Sequence, residues 1–319
     1  MTNIKIKMTK IATTSDIHGV IPILPTPFHT DESLDETGYE SILNFAKQAG
    51  CKTIGLPAFG SEFYKLSAVE RSIILKTVFD QANGLNVIVQ CNHTSPKVIE
   101  AMVEEAEKLG ATAINTALPR AMPASEEQLL KHASTVCAST SLPVVIQDYN
   151  PGGPIIGLDF AVKLSNKFEN FKFIKYEIPG IGPLVRKILE ATNGKVKVIS
   201  GWGGSYMLEQ VPAGIAGIMP GIPLADFFVK IWDKASNGKR KEAMMMFSSI
   251  SSYLSFSLQN IEMFHHAEKR LAVRRGIMKS DVVRSVSIDL DLYQDKYLEL
   301  VLDETCAALE KYGLKSNIL

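Results

Sequence analysis

The chain has 319 residues with 34 Lys and Arg against 34 Asp and Glu, so it carries no formal net charge and no overall field that favours nucleic acid or an anionic membrane as partner. Its four cysteines, Cys51, Cys91, Cys137 and Cys306, are widely spaced with no CxxC, which argues against a zinc site or a disulfide framework and fits reduced thiols in the cytoplasm. No stretch approaches the ~20 apolar residues of a membrane helix, and the length suits either two ordinary domains or one (β/α)8 barrel of about 250 residues with added helices.

Residues 1–17 carry lysines but no arginine and no apolar core long enough for a signal peptide, and read as a polar N-terminal arm. From residue 18 onward, short β-rich runs alternate with amphipathic segments eight times, the pattern of βα units closing on a parallel sheet. Strands are expected over residues 19–24, 53–56, 86–90, 113–116, 143–148, 171–175, 197–200 and 217–219. Eight of them predict an α/β fold, a closed TIM barrel over 18–235. Helix starts are signalled by Asp35 before Glu36, by Ser67 with Glu70 at capping-box spacing, by Ser95 before Pro96, and by Ser125. Beyond the eighth strand, helices are expected over 224–235, 239–257, 259–275 and 289–312. No proline/glycine linker sets this tail free, so residues 236–319 read as a helical extension packed on the barrel.

In such a barrel the carboxyl ends of the strands face the active site. The first strand runs into Pro25-Thr26-Pro27-Phe28, where Thr26 offers a hydroxyl. The second runs into Ala58-Phe59-Gly60-Ser61-Glu62, where Gly60 lets backbone amides approach a small anion and Ser61 adds a donor. His93 follows the third strand, although a histidine there is commonly a hydrogen-bonded structural residue. The fifth ends in Asp148-Tyr149-Asn150-Pro151. The seventh ends in Ser200-Gly201-Trp202-Gly203-Gly204, without the GxGxxG spacing of a dinucleotide loop.

The sixth run, FKFIKYE, holds the most informative residue. Alternation places Phe173, Lys175 and Glu177 on one face of a strand buried on both sides, and an ammonium group has no ordinary use there. A buried ion pair between Lys175 and Glu177 accounts for it structurally. Chemistry offers a second account. Burial favours the neutral form of an amine, and a neutral primary amine attacks a ketone to give an imine whose protonated form is an electron sink. Such chemistry needs a proton shuttle, a role open to Tyr149, and a group that balances the iminium or protonates a departing hydroxide, a role open to Glu177. A metal is not indicated: His265 and His266 are adjacent on a helical segment and diverge, and there is no HExxH.

The order PTPF, Gly60-Ser61-Glu62, DYNP and FIKYE resembles the dihydrodipicolinate synthase and N-acetylneuraminate lyase superfamily of class I aldolases, from about Gly19 to Arg275. The motif around Tyr149 and the strand lysine 26 residues later carry the likeness. The resemblance implies a (β/α)8 barrel with a C-terminal helical extension, a homotetramer or homodimer, and a Schiff base between Lys175 and a 2-oxo acid with no separate cofactor. By the same resemblance Tyr149 is the proton shuttle. Where the family has GTTGE this chain has Ala58-Phe59-Gly60-Ser61-Glu62, so Phe59 and Gly60 replace two hydroxyls that hold the carboxylate, leaving Ser61 and backbone amides. The second tyrosine and the arginine of the lysine-pathway synthase have no counterpart, which argues against that reaction. KYE and the GWGGSYMLEQ stretch resemble the 2-keto-3-deoxy-arabinonate dehydratase branch. Dehydration of a 2-keto-3-deoxy sugar acid is therefore expected, with Lys175, Tyr149 and Glu177 catalytic and Thr26, Phe59, Gly60, Ser61, His93, Gly201 and Trp202 around the substrate. The alternatives are a pyruvate-releasing aldolase and a metabolite-binding barrel without activity.

Overall fold

Eight short strands, Gly19–Val20 (β1), Thr53–Leu56 (β2), Asn86–Gln90 (β3), Ala113–Ala117 (β4), Val144–Asp148 (β5), Phe171–Tyr176 (β6), Lys197–Ser200 (β7) and Gly217–Ile218 (β8), form one parallel sheet in the computed structural model, which describes residues 17–318. The order is β1-β8-β7-β6-β5-β4-β3-β2. Its two ends meet where Leu24 N donates to Gly55 O and Gly55 N to Pro22 O, so the sheet closes into a (β/α)8 barrel. Ile88, Ala113, Val145, Phe173 and Ile199 fill the interior, while a larger apolar shell packs the outer strand faces against the helices. The arm expected over 1–17 lies outside the described residues except for Ile17, which is buried in that interior cluster.

The helices between strands are Gly38–Gln48 (α1), Ala68–Gln81 (α2), Pro96–Leu109 (α3), Glu126–Ala138 (α4), Leu158–Lys167 (α5), Gly182–Ala191 (α6) and the single turn Met207–Gln210 (α7). Ser67 caps α2 in a full capping box with Glu70, and Ser125 accepts from Gln128 N at the start of α4. Helix α1 begins at Gly38 rather than at Glu36, because the Asp35 carboxylate accepts from both Thr37 Oγ1 and Gly38 N and holds the chain in a turn. On β1 regular pairing stops at Val20, since Pro22 and Pro25 have no N–H to donate, and Ile23 contributes only isolated bridges to Gly55 and Gly221.

Helices Ala225–Ser236 (α8), Arg240–Ser248 (α9), Ser251–Ser257 (α10), Ile261–Arg274 (α11) and Leu292–Lys311 (α12) complete the chain. The single helix expected over 239–257 is two: Ser248 Oγ and Ser249 Oγ turn back onto Met244 O and Met246 O, competing with the backbone ladder at the break. Helix α11 lies over the barrel mouth, against the 3₁₀ turns Phe59–Ser61 and Ile222–Leu224. Arg270 and Arg274 on α11 pair with Asp295, Glu299 and Asp303 on α12.

Candidate active site

Lys175 lies near the carboxyl end of β6, buried, beside its register partner Gln147 on β5. Period-two alternation carries Phe173, Lys175 and Glu177 along one face. Phe171 departs from it and joins the outer shell, because the β5–β6 register shifts between Val144 and Val145. The Lys175 ammonium is 3.2 Å from Glu177 Oε1. That oxygen also accepts from Gln147 Nε2 at 2.6 Å, and Glu177 Oε2 accepts from Trp202 N. Gln147 is in turn fixed by Asn115 Nδ2, 3.3 Å from its carbonyl oxygen. A buried carboxylate with three polar partners is held in one orientation, within reach of the lysine nitrogen. Gly201 makes room for it: a Cβ there would fall 2.0 Å from Glu177 Oε2. Trp202, Gly203 and Gly204 all have positive φ, and this left-handed run presents the Trp202 amide to the carboxylate.

Above the pair, Tyr149 is flanked by Phe59, with ring centroids 4.6 Å apart, and by Trp202 at 6.2 Å. Burial, with a smaller contribution from the Glu177 charge, holds the Tyr149 phenol above its ordinary pKa, so it enters neutral pH as a proton donor. Lys175, Glu177, Gln147, Tyr149, Phe59, Gly60, Trp202 and Gly203 line one pocket. In the turn beside it, Ser61 N and Glu62 N donate to Ala58 O and Phe59 O, bonds that do not use the amides of Phe59 and Gly60.

The dihydrodipicolinate synthetase family profile matches residues 16–284, most of the chain. The chain belongs to that family. A relative named L-2-keto-3-deoxyarabonate dehydratase, from Azospirillum brasilense, is 24% identical over 232 residues, 70% of this chain and 74% of the relative. One named "Probable 5-dehydro-4-deoxyglucarate dehydratase", from Bradyrhizobium sp. (strain ORS 278), is 29% identical over 168 residues, 52% of this chain and 51% of the relative. Among solved structures, the dihydrodipicolinate synthase of Rhodopseudomonas palustris superposes with a TM-score of 0.86 at 19% identity, covering 92% of this chain and all of that one. The sialic acid aldolase of Ruminococcus gnavus gives 0.82 at 18% identity, with 93% and 99% covered.

Within this family member, four residues expected around the substrate, Thr26, Ser61, His93 and Gly201, do not line the pocket. Ser61 is buried, its hydroxyl donating to Leu24 O and accepting from Ala58 N, and Thr26 Oγ1 donates to Ser61 O. Both hydroxyls shape the turn and face no pocket space. His93 is exposed, accepts from Ser95 N through Nδ1 at the start of α3, and borders a separate groove between α2 and α3. Gly201 acts through Glu177 rather than as a lining residue. Glu62, of the family's GxE loop, is fully buried at φ 57°, within 3.2 Å of Lys65 Nζ and 2.5 Å of Lys269 Nζ, and accepts from Arg284 N. It ties the loop to α11 and the segment beyond.

Sequence reading missed Gln147, which sits two residues before Tyr149 and was accessible by alternation alone. It also missed Leu258, Asn260, Ile261 and Phe264, which close the pocket from the α10–α11 junction and carry no local signal of a site. His265 and His266 diverge as expected, the first 3.0 Å from Tyr64 Oη and the second against Ser287 and Ile288.

Proposed function

We propose that the chain is a Schiff-base-forming lyase that dehydrates a 2-keto-3-deoxy sugar acid. The observation that carries this reading is the buried Lys175–Glu177 pair at 3.2 Å on the floor of a pocket shared with Tyr149. The branch is supported by the relative named as a 2-keto-3-deoxyarabonate dehydratase.

In this mechanism the Lys175 amine adds to the C2 carbonyl and water leaves, giving an iminium whose positive charge lies beside Glu177. The iminium acidifies C3. Loss of the C3 proton gives an enamine, whose electron pair expels the C4 hydroxyl as that oxygen takes up a proton. One proton leaves C3 and one reaches the departing hydroxide, so Tyr149 and Glu177 together hold as many protons after the step as before it, and a proton passing back between them restores each. With a C5 hydroxyl on the substrate the conjugated iminium isomerises, one proton moving from C5 to C3 and one from the C5 hydroxyl to C4, and water then adds at C2 and releases Lys175 with an aldehyde left at C5. The amides of Phe59 and Gly60 hold the C1 carboxylate, as free N–H groups of a tight turn can.

Incubation with pyruvate and borohydride should leave a mass adduct on Lys175. Incubation with 2-keto-3-deoxyarabonate should release 2-oxoglutarate semialdehyde. Pyruvate and glycolaldehyde from that sugar acid, with no semialdehyde, would instead favour C3–C4 cleavage, and an adduct on Lys172, or none, would end the Schiff-base reading. Lys175→Ala should abolish turnover with the fold intact.

A further inference from the structure

The proposed imine chemistry leaves open what lies beyond C4 of the substrate, and the far wall of the pocket bears on that. It is built by Ile23, Met219, Leu258, Asn260, Ile261 and Phe264, five apolar side chains and one neutral amide. The Asn260 side-chain Oδ1 already accepts from Met263 N as the cap of α11. Among the described residues, the only charged side chains lining the pocket are Lys175 and Glu177, one of each sign.

Among the described residues, cations do occur around the mouth, and each of these is engaged. Both guanidinium arms of Arg120 hold Asp148 at 2.8 and 2.9 Å. Lys65 lies between Glu62 and Glu262, and Lys269 pairs with Glu62 at 2.5 Å. Arg284 pairs with Glu70 at 2.6 Å. Withdrawing any of them would cost a carboxylate of the same cluster a charged partner, and Lys65 and Lys269 tie the mouth to α11.

The charge count then selects the ligand. The C1 carboxylate is held by the turn amides, while the iminium that Lys175 forms already faces Glu177. A second carboxylate, placed against the Leu258–Phe264 wall, would lose hydration with no counter-charge. We infer that the site takes 2-oxo monocarboxylates with a short uncharged tail beyond C4 and discriminates against dicarboxylates such as 5-dehydro-4-deoxyglucarate. The α10–α11 junction is then the specificity element. This rests on the Schiff-base reading.

The test is a direct competition for one lysine. Wild-type protein is incubated with equal concentrations of 2-keto-3-deoxyarabonate and 5-dehydro-4-deoxyglucarate, reduced with borohydride after brief mixing, and the two adducts on Lys175 are distinguished by mass. The monocarboxylate adduct should exceed the other at least tenfold. Ile261→Arg, which adds a cation to the wall, should move the ratio toward the dicarboxylate, whereas Ile261→Gln should not. Equal adducts, or a dicarboxylate excess in the wild type, overturn the inference while the pyruvate adduct leaves the imine intact. If pyruvate itself gives no adduct on Lys175, the Schiff-base reading fails and takes this inference with it.

Discussion

Tyr149 and Glu177 bracket the lysine from two sides, and each role has a substitution that isolates it. Tyr149→Phe keeps the ring between Phe59 and Trp202 and removes only the hydroxyl. The loss should therefore fall on kcat, by roughly 10²–10⁴-fold for a general acid–base group, with KM little changed; near-wild-type kcat would reassign the shuttle. Glu177→Gln should stop dehydration but still allow borohydride trapping, because imine formation does not need the carboxyl group. Gly201→Ala tests the position of that carboxyl without touching it, since the added methyl would occupy the space of Glu177 Oε2. Turnover should fall at least tenfold while Lys175 still forms its adduct. At this scale the sequence was legible where the residue type was chemically costly. A lysine and a glutamate on a doubly buried strand demand an explanation, whereas a threonine, serine or histidine can satisfy itself on nearby backbone, as Thr26, Ser61 and His93 do.

Among the elements, α11 departs furthest from what an outer helix of a barrel does. Its first turn supplies Ile261 and Phe264 to the pocket, and its middle buries Glu268 against Tyr253 Oη at 2.8 Å and against Gly221, where a Cβ would lie 1.7 Å from the carboxyl oxygen. Burial pushes the Glu268 carboxyl up from 4.5 to about 8. Between those values the folded chain keeps a proton that the unfolded chain has released, so Glu268 makes stability fall as pH rises through that window and level off above it. Below 4.5 both states are protonated and the contribution vanishes. Glu268→Gln keeps a hydrogen-bonding partner for Tyr253 and cannot ionise. Its melting temperature relative to wild type should therefore rise with pH, by a few °C between pH 5 and pH 9, for a difference on the order of 1 kcal/mol or more. A constant offset across that range in paired thermal melts would assign the alkaline loss elsewhere. The helix was legible over 259–275 from its periodicity, and Asn260 caps it. Its position over the mouth was not, because nothing in a helical repeat says which end of a barrel it crosses.

For the whole molecule, closure of the eight-stranded sheet was legible in the βα period, and the separate helices α9 and α10 were not, since serine is compatible with helix until its hydroxyl turns on the backbone. Self-association is an expectation of a different kind, taken from the family resemblance. Phe227 and Phe228 of α8 are buried in the core, so they supply no such surface. Helix α12 offers an alternative face. Tyr293, Tyr297 and Leu300 are 81%, 49% and 55% exposed and fall at helical spacing on one side, with Leu292 beside them. If copies of the chain meet through this face, light scattering at micromolar concentration should give two or four times the 35.0 kDa chain mass. Tyr293→Lys combined with Leu300→Glu should then bring it back toward a single chain, because like faces carrying new charges would have to desolvate them on contact. The far-ultraviolet circular dichroism should not change, as both side chains point away from the core. A wild-type mass of 35.0 kDa would refute self-association, and an oligomer that survives both substitutions would move the interface off α12 and onto the barrel loops.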